Sequence, residues 1–362
     1  MLEELARIPT SGARAVEPFE IDGQQYLAIP QLAFDIPGAP ADMNGGDSMV
    51  TCVLVLHRRP GTVLFEECQR LPAPGGEDAE FFQIGNRAFL AVACIRDGAG
   101  PYNYAQSQHI YEWRHGRFEL FQQVEGYAAK QWKHFQIDTR HFLGLAQGVS
   151  LPGHELSNLP SRLYEWDGRQ FVLFQDVPSA WGYNWHAFDI GAEHFLAYAD
   201  HFVPSLLLRW NGTEFVHYQD LADVHGRAFA HFTREGTDYL AVARLSSESV
   251  VLRWDGTRFV PHQVLDKLGA RELKLVARGD ALYLVRVNFI EGTPREPIAA
   301  LDSQVYRWQN ERFEVVQTFA TTGGTDVAIW DDAALGTLAA VSNSLTADLR
   351  FACSTNIYRC VF

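Results

Sequence analysis

Short apolar runs separated by polar turns return along this chain at a regular interval. The clearest instance lies at 239–263. An apolar stretch, Tyr-Leu-Ala-Val-Ala (239–243), leads through polar residues to Val250-Val251-Leu252-Arg253-Trp254. A tight turn follows at Asp255-Gly256-Thr257, then a last strand from Phe259 to Gln263. The same phrase returns at Trp113, Trp166, Trp210 and Trp308. In every copy Phe stands five residues after Trp (118, 171, 215, 259, 313) and Gln nine residues after it (122, 175, 219, 263, 317). Trp-to-Trp spacings are 53, 44, 44 and 54 residues. A fixed period of tens of residues marks a propeller, solenoid or array, and the shortest unit matches four short strands with tight turns. Period-2 alternation supports strands: Phe82/Ile84, Phe135/Ile137 and Phe188/Ile190 precede Gly- or Asp-containing turns.

The pattern predicts an all-β, seven-bladed β-propeller of four-stranded antiparallel blades as a single domain over 1–362. The approximate blades are 14–71, 72–124, 125–177, 178–221, 222–265, 266–319, and 320–362 plus 1–13. In blade one the Trp position has drifted to about His57, and blade seven keeps only Leu338-Ala339-Ala340-Val341. Residues 2–13 align without gaps on Phe259–Ala270, and Asn356–Cys360 align on Gln304–Trp308. The last unit therefore lacks its outer strand, and the N-terminal segment has the register to supply it, closing the ring without an exposed edge. A frayed N-terminal helix is the competing reading of the same residues. Extra length falls at 37–48, 95–108, 148–160 and 289–302.

These units resemble the epilepsy-associated repeat, also called the EAR, EPTP or epitempin repeat. Its pattern is an aromatic-Leu-Ala-Val-Ala-Asn strand, a Tyr-x-Trp-x-Gly strand, then Phe-x-x-x-Gln. Tyr239–Ala243, Trp254-Asp255-Gly256, Phe259 and Gln263 match it. The resemblance implies seven blades. It also points to animal relatives that are mostly extracellular ligands of receptor ectodomains. This chain departs from that setting, because no leucine-rich partner domain is present and an Ala/Arg-rich composition reads as bacterial.

Composition narrows the partners. A net charge of −14 disfavours nucleic acid reached by phosphate neutralisation. No apolar run approaches the ~20 residues of a membrane span, and the first residues carry no basic and apolar leader. Five scattered cysteines without CxxC spacing read as free thiols in a reducing cytoplasm. The thirteen histidines show no HxH or HExxH spacing, and Asp42–Asp47 lacks the spacing of a calcium loop. No phosphate-cradling glycine motif or Gly-x-Ser-x-Gly elbow occurs. The expectation is a cytoplasmic monomer without metal or cofactor.

Candidate chemistry lies where the repeat breaks. Counting back nine residues from the aromatic before Leu-Ala-Val-Ala collects Glu17, Glu80, Lys133, His186, Ala230, Lys274 and Ile329. Counting forward five collects Gln31, Cys94, Gln147, Asp200, Arg244, Asn288 and Asn343. Both rings are expected toward one mouth. Tyr127, Lys130, Trp132 and Lys133 precede one inner strand, and Trp181, Tyr183, Trp185 and His186 the next. The reading is a binding module for a small molecule or protein segment, held by Trp132, Trp181, Tyr183, Trp185, Gln147, Arg244, Lys274, Arg286 and Asn288. The alternative is an enzyme of specialised metabolism acting on an aromatic or anionic substrate. His186, Asp200, His201 and Lys133 are then the proton-transfer candidates.

Overall fold

The computed structural model describes residues 1–150, 158–293 and 295–361. Most of the long segment 148–160 lies outside them. Seven four-stranded antiparallel sheets surround an axis. Their innermost strands are Glu17–Ile21, Gly76–Ile84, Gln131–Ile137, Gly182–Ile190, Gly226–Arg234, Ala270–Arg278 and Gly324–Asp332. Neighbouring inner strands contact one another all the way round, the seventh against the first. Each blade runs outward in chain order, except that the fourth strand of blade seven is Leu2–Ser11, paired antiparallel with Ala352–Cys360. The N-terminal segment is thus a strand and not a helix. Its alternating apolar positions gain both a ladder partner and a core face there.

The hairpins joining first and second strands turn in two residues, as at Asp22-Gly23, where both φ angles are positive as a type I′ turn requires. Blade seven uses three residues between Asp332 and Gly336. That extra residue moves its inner strand by one position relative to the repeat.

The Trp–Phe–Gln phrase builds the circumference. Trp254 meets Phe259 edge-on at 5.1 Å and Phe195 of the preceding blade at 5.7 Å. The same pairing recurs with Trp113, Trp166, Trp210 and Trp308. Each Gln clasps the next blade. Its Oε1 accepts the backbone N–H of that blade's Phe, and its Nε2 donates to the same residue's carbonyl. The pairs are Gln69–Phe118, Gln122–Phe171, Gln175–Phe215, Gln219–Phe259 and Gln263–Phe313, with Gln317–Leu2 as a sixth. The junction of blade seven with blade one differs. Ala6 stands at the Gln position, and Arg58, one residue past His57, takes the Trp position opposite Phe65 and pairs with Asp332.

Candidate functional site: the mouth and axis of the propeller

An inner strand is a sheet edge, with backbone N–H groups that need partners. Side chains of the preceding blade supply them. Asp78 Oδ2 accepts Trp132 N at 2.8 Å, Gln131 Oε1 accepts Trp185 N at 2.6 Å, and Asp326 Oδ2 accepts Val16 N at 2.8 Å. One step further along, Glu17 accepts Phe81 N, Glu80 accepts His134 N, and His186 Nε2 accepts His231 N at 3.3 Å. These groups line an axial cavity of about 290 Å³ with Lys133, Asn184, Glu272 and Lys274. The ring counted from the sequence is therefore present at six of its seven positions. Ala328 replaces Ile329, because the longer turn of blade seven shifts the register.

Burial dominates the titration of this cavity. Glu17 is pushed up to about 8 by burial and then by the neighbouring Glu80 carboxylate. Glu272 is raised to about 7 by burial and then by Asp326. Burial opposes charge on Lys133, yet Glu80, at 2.9 Å, and Glu17 hold its pKa above the usual lysine range. His186 falls to about 3 through burial and the nearby His231, so it is neutral, and it makes no ion pair with a carboxylate among the described residues.

Toward the mouth five of the seven inner strands begin with a bulge. In blade two Gly76 faces Cys94 and Asp78 faces Ala93, leaving Glu77 as the extra residue. The same skip frees Arg227, Arg271 and Thr325, and in blade four it frees the Tyr183–Asn184 step. Arg14 and Lys130 take the corresponding places in blades one and three, just ahead of inner strands that carry no bulge. A bulge re-aims a side chain without ending the strand. Here it gathers Glu77, Tyr183, Arg227 and Arg271 at the axis, beside Arg14 and Lys130. Glu77 lies 3.4 Å from both Arg14 Nε and Arg271 Nη2. Tyr183 is covered by Arg227, whose Cζ is 3.7 Å from the ring centroid, and by Arg271 at 4.8 Å; Lys130 Nζ is 5.4 Å away. Arg227 Nη1 also lies 2.9 Å from His201 Nδ1. Burial lowers Lys130 to about 7 and His201 to about 3.

The family models of known proteins match this chain as the EPTP domain, over residues 3–50, 117–167, 170–211, 214–255 and 258–309, more than half its length. The chain belongs to the EPTP domain family. It is 32% identical over 206 residues, 54% of its length, to the mouse thrombospondin-type laminin G domain and EAR repeat-containing protein. It is 32% identical over 142 residues, 38% of its length, to the human protein of that name. The matches span 28% and 20% of those relatives. Among solved structures, BBS1N in complex with ARL6DN aligns with a TM-score of 0.57 at 12% identity, covering 99% of this chain and 96% of that one. SapL1 lectin in complex with alpha methyl fucoside aligns at 0.50 and 10% identity, covering 86% and 97%. At such identities the likeness shows the fold alone.

Within this EPTP propeller the remaining sequence-derived candidates divide by place. Trp132 is fully buried between blades two and three and donates from Nε1 to Val92 O. Trp185 packs between blades three and four against Tyr198, at 4.2 Å, and over Gly144, where a Cβ would sit 3.1 Å from its indole. Both fill gaps between sheets; Trp132 does only that, whereas Trp185 also lines the axial cavity. The second counted ring lies in the wall instead of lining the opening. Gln147 accepts Tyr127 N and donates to Pro160 O. Asp200 accepts four backbone N–H groups, from Ala180, Trp181, Phe202 and Val203. Arg244 Nε donates to Val224 O, and Asn288 bonds Asp302 O and Arg286. Arg286 is fully buried and donates to the carbonyls of Asp266, Lys267 and Leu268. These groups tie inter-blade loops down. His186 and Lys274 face the cavity with Lys133, whereas His201, Trp181 and Tyr183 belong to the mouth. Trp181 sits edge-on to His201 at 5.7 Å and to Phe202 at 5.2 Å.

Sequence reasoning missed Arg14, Glu77, Arg227 and Arg271. A signal was available: a small residue stands before each of the seven axial positions, at Ala13, Gly76, Ala129, Gly182, Gly226, Ala270 and Gly324. A Cβ on Gly76 would meet Pro30 Cβ at 3.1 Å, and one on Gly226 would meet Asp200 O at 3.0 Å and Ser205 Oγ more closely still.

Proposed function

We propose that the protein is a binding propeller whose ligand seats at the mouth, where the inter-blade loops meet the loops joining second and third strands. One asymmetry carries this reading. Those strands are joined by 31–51, 95–104, 147–160, 289–299 and 344–351 in five blades, but by only 201–204 and 245–248 in blades four and five. Leu32, Met43, Leu245, Phe289, Ile290, Leu345 and Phe351 of these loops pack together into an apolar cluster. The low side, at blades four and five, presents Trp181, His201, His225 and Phe202, the last 47% exposed. An aromatic group beside cations fits a small molecule or a short protein segment. The same residues serve the acid–base alternative less well, since neither His186 nor His201 has a carboxylate partner to orient it among the described residues. Five unpaired cysteines accord with a reducing compartment.

A thermal-shift panel of sugars, amino acids, nucleotides and organic acids tests the proposal. Ligand at a hundredfold excess over Kd stabilises by about 2.7 kcal/mol, a shift of a few degrees. The expected hit loses its shift in Trp181→Ala and Phe202→Ala and keeps it in Val315→Ala on the circumference. A hit indifferent to both mouth variants sinks the assignment.

A further inference from the structure

Resting on that reading of the mouth, we infer that the axial cluster is an oxyanion site that receives a carboxylate or phosphate group of the ligand.

The charges do not balance without one. Arg14, Arg227 and Arg271 converge there, joined by Lys130, whose positive charge burial weakens. Against them stand Glu77, shared by Arg14 and Arg271, and Asp200, which four backbone N–H groups hold in the loop, out of ion-pair distance of any of these cations. Glu272 and Asp326 lie one step down the strands, where burial favours their neutral forms. Arg227 is 3% exposed. Its polar partners are His201 Nδ1 and its neighbour's carbonyl, Gly226 O, and its Nε is buried without a partner. Lys130, 4% exposed, donates to Ala128 O and Gly148 O. Neither cation has a carboxylate within ion-pair distance among the described residues.

A buried charge without a counter-ion is costly, and proteins normally pair or neutralise it. The Tyr183 ring attracts the cations stacked on it but carries no charge to cancel theirs. An oxyanion would. Guanidinium forks offer parallel N–H donors matched to two oxygens of a carboxylate or phosphate, and an ammonium adds a point donor. The bulges hold Arg227 and Arg271 outside the strand ladders, and Arg227 Nε, buried without a partner, is a donor left for a ligand. The way in is the low side of the mouth at blades four and five, past Trp181 and His201. An aromatic or sugar-like body would then rest on Trp181 with its acidic group on the axis.

Thermal denaturation and titration calorimetry with inorganic phosphate and with succinate, each against sodium chloride at equal ionic strength, decide the matter. At least one oxyanion is expected to raise the melting temperature saturably, and the tighter of the two identifies the class. Arg227→Gln should weaken its binding at least tenfold. Without anion and at pH 6, where Lys130 still carries its proton, Arg227→Gln and Lys130→Met should melt at or above the parent protein, because each removes a buried charge that has no carboxylate partner. A merely structural cation predicts the opposite. The inference is overturned if neither anion differs from chloride, if Arg227→Gln binds undiminished, or if both variants melt lower. A ligand lost in Trp181→Ala but bound normally by Arg227→Gln would leave the mouth assignment standing and overturn this one.

Discussion

Blades are joined to their neighbours twice, once at the circumference and once at the axis. At the circumference six glutamines do the same thing in the same way, each giving and taking one hydrogen bond with the backbone of the next blade. The groups are neutral, so the bonds hold at any pH. At the axis the same kind of backbone N–H is met by Asp78, Gln131, Asp326, Glu17, Glu80 and His186 in turn. That set mixes charged and neutral acceptors, and it encloses lysines as well. Cohesion of a ring can be built from one repeated amide. Where unlike, ionisable groups do that work, another demand is shaping the sequence, and the mouth cluster just above them names it.

The strongest way to break the comparison is to remove packing beside the axis. Trp132→Ala should cost about 3–5 kcal/mol in chemical denaturation, the scale of a large buried side chain. A loss below 1 kcal/mol would mean that Trp132 is not a core residue and would return it to the mouth. Next in size is the circumference. Gln219→Ala strands the N–H and C=O of Phe259, at about 1–3 kcal/mol, with the same loss from pH 5 to 9. A loss that varies with pH would erase the contrast drawn above. The smallest effect is the most diagnostic. Between the ordinary carboxyl range and about pH 8, folded Glu17 holds a proton that the unfolded chain has given up. Its contribution to stability therefore falls as pH rises through that window. Glu17→Gln keeps the acceptor for Phe81 N. It should match the parent near pH 4.5 and melt higher at pH 8 and above, the gap opening in between. Parallel melting curves across that range would show that Glu17 is charged in the fold.

The circumference could be read from the sequence because Trp, Phe and Gln repeat at fixed offsets, and each copy reinforces the others. Blade seven was legible only as a remainder, yet Leu2–Ser11 aligned well enough to be placed in it. The counted inner ring was found for the same reason, and missed at Ile329 only because a hairpin gained one residue. The mouth was less legible. Offsets place a residue along a strand but do not tell whether it points to the axis, to the wall or into the next blade. Trp132 and Trp185 read as part of an aromatic mouth; both pack between sheets, and Trp185 alone also borders the axial cavity. Arg227 and Arg271 escaped notice because a bulge, and not the two-residue period, aims them.

That bulge has a consequence of its own. Where the residue is an extra one, it lies outside the strand ladder, so the ladder places no demand on its side chain, although Thr325 and Lys130 also hold neighbouring carbonyls. Of the seven positions 14, 77, 130, 183, 227, 271 and 325, those whose side chains hold no backbone carbonyl form a dial whose settings can be changed with the least disturbance of the ring. Charge, size and hydrogen-bonding character at the axis are set there. Exchanging residues such as Glu77, Tyr183 and Arg271 is therefore an economical route to a propeller of this architecture with a different ligand.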